Sequence, residues 1–216
     1  MKIPLDSALT LLHEAGHGTL ATNSTQLPGY PYATAVPYVL DEGHHPVIHV
    51  STLAEHTRNL LADVRVSLSV IKADAAEVQD SARLTIVGDA EQFQPTPEIL
   101  ARFLRYEPGA EQLMALDFVF FRLVARRIRF IGGVGRMGWL ESHDWEALPR
   151  LSPTDEARVI QDAGMKVGSS VKLLGADCFG IDYEVAGRRR RQRFPSAPLP
   201  VESLAEVAAR MAPGLS

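Results

Sequence analysis

Residues 47–71, VIHVSTLAEHTRNLLADVRVSLSVI, constrain the fold more than any other stretch of the chain. Val47, Ile48 and Val50 are β-branched and apolar, and Val64, Val66, Leu68 and Val70 alternate with polar residues further on. Two strands are expected, with a short helix between them. In that helix Leu53, Thr57, Leu60, Leu61 and Val64 recur at helical spacing, while His56, Arg58 and Asn59 fall on the other face. Ser51 and Thr52 stand at the handover from strand to helix, where either hydroxyl could cap it. Hydroxyls, free N–H groups at a helix start and an arginine one turn along make a seat for a phosphate. The same residues also make an ordinary capped helix with Arg58 in water, and spacing alone leaves both readings open.

The segments around this unit extend the pattern. Leu5, Leu9 and Leu12 stripe a first helix that should end near Gly16, and Thr19–Ser24 and Tyr32–Leu40 read as strands on either side of Pro28-Gly29. Asp41-Glu42-Gly43 predicts a hairpin turn, with His44 and His45 as solvated loop residues. Further strands are expected at 65–71, 82–93, 117–124 and 127–131, with a helix at 95–106 and a further helical turn at 111–116. Gly132-Gly133-Val134-Gly135 predicts a tight bend closing the sheet. Leu148–Thr154, with two prolines, is the candidate linker. After it come a helix at 155–163, strands near 170–176, 180–185 and 188–194, and a final amphipathic helix carrying Val201, Leu204, Val207, Ala208 and Met211. The domains are therefore drawn at 1–148 and 149–216.

The run STLAEHTRNLLADVRVSLSV, with HGTLAT at 17–22, GYPYATAVPYVLDEGHHPVIHVS at 29–51, ARLTIVG at 82–88, LDFVFFRL at 116–123 and FIGGVG at 130–135, carries a resemblance. It resembles the haem-utilisation (HugZ-like) branch of the pyridoxamine 5′-phosphate oxidase-like, FMN-binding split-barrel families. Val134 stands where the family usually has an aromatic residue. The tail, through GADCFGIDYEV and RFPSAP, is similar to the small C-terminal α/β domain that often follows such barrels, without its usual Asn-Glu-Asp-His-like helix start.

The resemblance implies a mainly β fold with α: a six-stranded antiparallel Greek-key split β-barrel followed by a small C-terminal α/β domain. It implies a homodimer holding FMN between subunits, as a flavin-dependent oxidoreductase of unknown substrate. Carried over by position, Thr34 and Ala35 would line the flavin edge. Ser51, Thr52, His56, Arg58 and Asn59 would hold phosphate and ribityl, and Arg83 would add a second positive contact. No side chain is placed as a catalytic acid, base or nucleophile. The alternative implied by the same branch is a haem-binding or haem-degrading protein, in which a histidine ligates iron and basic groups meet the propionates. No histidine follows His143, so a C-terminal loop ligand is absent and His143, near Trp139 and Trp145, is the substitute.

Other strings compete for attention. His13-Glu14-Ala15-Gly16-His17 is an HExxH pattern, which on a helix could bind zinc with Glu14 as general base. Gly16 and Gly18 break the helix where ligand geometry must be stiff, so no metal site is assigned. GHGTLA precedes a strand instead of following one, which removes it as a dinucleotide loop. Arg188–Arg191 with Arg193 reads either as a charged hairpin edge in water or as a patch for phosphate or acidic partners. A formal charge of −4 argues against general nucleic-acid binding. The lone Cys178 and the lack of a signal-like or bilayer-length apolar run point to a cytoplasmic chain that does not enter membranes.

Overall fold

A computed structural model describes residues 5–72, 77–133 and 136–216. The expected bend at 132–135 falls partly on 134–135, outside the described residues. The chain begins with α1 (Leu5–Ala15), which buries Leu9, Leu12 and His13. Gly16 stops it by taking φ +67°, a backbone that residues with a Cβ adopt at a cost. Then follow β1 (His17–Asn23), β2 (Pro31–Pro37), β3 (Val39–Leu40), β4 (Pro46–Ser51), α2 (Glu55–Ala62), β5 (Arg65–Ile71) and β6 (Arg83–Phe93). In β5, Val66, Leu68 and Val70 are buried while Arg65, Ser69 and Ile71 face out, the alternation expected of a strand with one covered face.

After α3 (Pro97–Tyr106) and a 3₁₀ turn at Pro108–Leu113 comes β7 (Phe118–Ile131). Two strands were expected here, and there is one. Its ladder with β6 shifts register, so that Val87 pairs with Arg127 and Gly88 with Ala125, leaving Arg126 as the extra residue of a bulge. A Cβ on Gly88 would lie 2.0 Å from the Val124 carbonyl oxygen, so glycine is what lets the strands close over the bulge. The expected strand gap at 125–126 is this bulge. β8 (Met137–Glu141) and α4 (Ser142–Glu146), neither expected, complete the first part.

Among the described residues the large antiparallel sheet has eight strands, where six were expected. Seven run β2-β1-β5-β6-β7-β4-β3, and β8 shares the outer side of β7 with β4. The two additions, β3 and β8, are short pieces beyond the main strands. The sheet curls so that β2 comes beside β4, and α2 lies over β1 and β2. The tail holds α5 (Pro153–Gly164), the antiparallel sheet β9 (Val171–Ala176), β10 (Gly180–Val185) and β11 (Arg188–Arg193), and α6 (Val201–Met211). One apolar core joins both parts, from Leu9, Leu20, Leu68 and Leu123 to Trp145, Ile181, Leu204 and Leu215. The core therefore continues across residue 148.

Charge is also buried at this junction. The Arg191 guanidinium donates to Asp182 Oδ1 at 2.6 Å and to both oxygens of Asp177 at 2.7 and 2.8 Å. Burial alone would raise both carboxyls; Arg191 and His13 outweigh it and hold them far below the usual carboxylate range. Arg189 pairs with Glu107 and Arg193 with Asp6. The arginine run is thus tied into the fold, and Arg191 is interior. His44 is interior too. Asp41 Oδ1 accepts from the Gly43 and His45 amides at 2.8 and 2.9 Å, curling the β3–β4 turn, and His44 takes φ 61°. The residue is buried, its ring set against Trp145 and Phe179, which corrects the expectation of a solvated histidine.

Replacing Arg191 with methionine leaves two buried carboxylates uncompensated and should cost about 3–5 kcal/mol in urea unfolding; a loss below about 1 kcal/mol would contradict this account. Acid should also destabilise the chain. Burial lowers His44 to about 4, with Asp177 opposing the shift and His13 and Arg191 adding to it. The unfolded chain, with histidine near ~6.5, therefore binds the proton first, and stability falls as pH drops from ~6.5 towards 4. Unfolding curves across that range should show a loss on the order of 3 kcal/mol, reduced in His44→Asn, which suits the left-handed backbone.

Candidate functional site

β4 hands over to α2 through residues 51–54. Thr52 N–H donates to the Asp117 carbonyl at 2.8 Å and Ala54 N–H to the Ser51 carbonyl at 3.1 Å. The helix starts later than expected, with Ala54 as N-cap and no side-chain cap. Neither Ser51 nor Thr52 caps it, which corrects the sequence reading. Ser51 Oγ instead accepts from Leu53 N–H at 3.2 Å, and Thr57 Oγ1 donates to the Ser51 carbonyl at 2.6 Å. The first amides of α2 have no side-chain cap.

The buried face of α2 is Thr57, Asn59 and Leu60. Asn59 Nδ2 donates to Thr22 Oγ1 at 3.0 Å, and its Oδ1 accepts from Thr25 N–H and Oγ1, both at 2.9 Å. Asn59 thus pins the β1–β2 connection to the helix, with its carboxamide turned into the fold. Leu53, Leu61 and Val64, expected on the packed stripe, are 75%, 58% and 50% exposed. A helix of this length touches β1 with little more than one turn, so the rest of the stripe stays outside. Leu27 and Tyr30, on the connection that Asn59 holds, are also exposed.

The remaining predicted residues divide. Arg58 is exposed and donates to the Leu53 carbonyl at 3.2 Å. His56 is half-buried, its Nε2 has no hydrogen-bond partner, and burial lowers its pKa, leaving a neutral imidazole at neutral pH. Thr34 and Ala35 sit on β2, paired with Leu20 and Thr19, on the edge that meets α2 and β4. Arg83 does not join them. It pairs with Ile131 at one end of β7, whereas Ser51 pairs with Phe118 at the other. Its Nη1 donates to the Val78 and Gln79 carbonyls at 2.7 and 3.2 Å, so it braces a turn remote from Arg58. Within one chain it cannot be the second positive contact to the same phosphate.

The other candidates separate as well. His143 is on α4 with its side chain 78% exposed, while Trp145 is core and Trp139 lies under Arg127 and Arg129. The three do not form one pocket. In the HExxH string, Glu14 and His17 line an open cleft of about 500 Å³ with Arg188 and Arg190, and only His13 turns inward. Sequence reasoning missed the partners of His13, namely His44, Asp177, Asp182 and Arg191. They come from four separate places in the chain, and the only local signal was two aspartates in GADCFGIDYEV just before an arginine run.

The donors around α2 fit two kinds of group. Hydroxyls, helix-start amides and Arg58 suit a phosphate, and a buried imidazole nitrogen without a partner, in a segment with exposed apolar side chains, suits a haem edge. Among the described residues, no helix is long and apolar enough to cross a membrane.

Comparison with known proteins narrows this. The chloroplastic haem oxygenase HOZ of Arabidopsis thaliana is 32% identical over 133 residues, which are 61% of this chain and 41% of that protein. The chain therefore spans less than half the length of that relative. A haem-binding protein from Mycobacterium smegmatis superposes over 98% of this chain and 97% of its own, with TM-score 0.63 and 26% identity. A protein of unknown function from Agrobacterium tumefaciens shares the fold over 94% of this chain and 93% of its own, with TM-score 0.75 and 22% identity. The family model for pyridoxamine 5′-phosphate oxidase matches residues 5–132, α1 through β7. The chain belongs to the pyridoxamine 5′-phosphate oxidase family.

Proposed function

We propose that this is a haem-binding protein, working in haem capture or breakdown, with its ligand seated along α2. The observation that carries the reading is His56 Nε2, buried without a hydrogen-bond partner on the helix that carries the exposed Arg58, in a segment where Leu53 and Leu61 are exposed, as are Leu27 and Tyr30 on the connection that Asn59 holds. A haem needs apolar contact for its faces, cations for its propionates and a nitrogen for its iron. Likeness to a plant haem oxygenase and a mycobacterial haem-binding protein supports haem over other ligands. We read β1, β2 and β4–β7 as the six-stranded split barrel, residues 149–216 as its small C-terminal domain, and the functional unit as a homodimer whose second copy covers part of the same apolar margin. In such a dimer Arg83 would reach the ligand from the other copy.

Titrating the chain with haem should produce a shifted Soret band that saturates at one haem per chain. His56→Ala should move that band and weaken binding, because the histidine nitrogen sets the iron's ligand field. An unchanged band and affinity in His56→Ala would remove His56 from the site.

FMN is the second reading, favoured by one feature: Arg58 lies in the first turn of a helix whose start has no side-chain cap and closely follows the Ser51 and Thr52 hydroxyls in the chain. When bound, FMN would supply redox chemistry, while Arg58 and the hydroxyls would hold its phosphate. Arg58→Ala should then weaken FMN by about 1.5–3 kcal/mol in a fluorescence titration, with little change in unfolding. Equal affinity in the variant would take Arg58 out of a phosphate site.

A further inference from the structure

The interior cluster at the junction of the two sheets has a feature that folding alone does not use. His44 Nδ1 is buried without a hydrogen-bond partner, and buried His13 Nε2 has only the Asp177 carboxylate beside it. Both aim at Asp177 Oδ2, at 3.9 and 3.0 Å, and the three atoms lie within 4.8 Å of one another. The side chains are 1%, 2% and 7% exposed for His13, His44 and Asp177.

Each of the three is held from behind. His13 Nδ1 meets Asp182 Oδ2 at 2.5 Å, and that carboxylate also accepts from Tyr106 Oη and Arg191 Nη1, both at 2.6 Å. His44 Nε2 lies 3.5 Å from the Pro149 carbonyl oxygen, the acceptor that keeps its proton on that nitrogen and the lone pair on Nδ1. Asp177 Oδ1 accepts from the Phe179 and Gly180 amides at 2.7 and 3.0 Å. Imidazoles whose far nitrogens are anchored on a carboxylate and a carbonyl are the usual support for metal ligands.

We propose that His13 Nε2, His44 Nδ1 and Asp177 Oδ2 form a site for a divalent transition metal of the zinc class. Two imidazoles and one carboxylate are a donor set that suits zinc. Bonds of ~2.0–2.2 Å at tetrahedral angles place donor atoms roughly 3.3–3.5 Å apart, between the two separations measured here. A fourth position is left for water. The site differs from the HExxH pattern: it uses His13 alone of those residues, and takes its other ligands from the β3–β4 and β9–β10 turns. An ion there would clamp α1 and the large sheet to the small one.

The rival is a plain ion-pair network, with a proton on His13 Nε2 donated to Asp177. Arg191 already compensates these carboxylates, which favours that rival and weakens a cation's hold. It gives His44 Nδ1 no role, however, since 3.9 Å is beyond a hydrogen bond.

The full chain, stripped with chelator and dialysed, is titrated with Zn²⁺ and with Co²⁺ at neutral pH. The expected result is one ion per chain, a raised Tm and visible Co²⁺ bands of nitrogen–oxygen coordination. His44→Ala should weaken binding roughly tenfold or more, while His17→Ala and His143→Ala bind as the parent does. Equal binding in His44→Ala, or loss in His17→Ala instead, overturns the site. Should His44→Ala fail to fold, the unaltered chain decides: no uptake of either ion and no Tm shift sinks the proposal.

Discussion

The burial of two carboxylates against one guanidinium, Asp177 and Asp182 on Arg191, is the interaction on which the rest of the architecture turns. Such a group is costly to desolvate and becomes tolerable only when every remaining lone pair is met. The fold meets them with parts from across the chain: His13 from α1, Tyr106 from α3, and the Phe179 and Gly180 amides from the β9–β10 turn. A second ionic tie works beside it. Arg102 pairs with Glu156 and donates to the Leu40 carbonyl at 2.7 Å, joining α3, α5 and β3. Apolar packing brings the two sheets together, and these polar ties determine how they sit.

That arrangement leaves α2 unusual. Most of the large sheet is covered by α1 and the tail, but α2 touches β1 and β2 over a short face and is held there by Asn59. Leu53 and Leu61 then remain outside, in the segment that also carries the exposed Arg58 and an imidazole nitrogen without a partner. Exposed apolar groups beside unsatisfied polar ones mark a surface that another molecule completes. Haem is the occupant we propose for that surface.

The strands were legible wherever one face is buried, because alternation reports burial directly: β5 shows Val66, Leu68 and Val70 inside as its sequence implies. The bulge at Arg126 was not legible as such. A register shift depends on Gly88 of the neighbouring strand, which no reading of β7 alone contains. At α2, spacing placed the helix and two of its buried residues, Thr57 and Leu60, but not the exposure of Leu53, Leu61 and Val64, since a pattern of leucines cannot tell a contact within the chain from one left for another molecule. Asn59 was read as a ligand-facing residue because polar side chains are expected outside, whereas here two threonines satisfy it inward. His44 was misplaced for a related reason: its burial follows from the curl that Asp41 imposes on the turn, and from Trp145 and Phe179, both distant in sequence.

The central claim is that the margin formed by α2 and the β1–β2 connection receives the cofactor. Hydrogen exchange of the chain with and without saturating haem tests it most directly, since exchange reports local opening residue by residue. The account predicts added protection over residues 24–30 and 51–62 with the β9–β11 sheet unchanged. Protection confined to α4 or to the small sheet, with α2 exchanging as before, would contradict it.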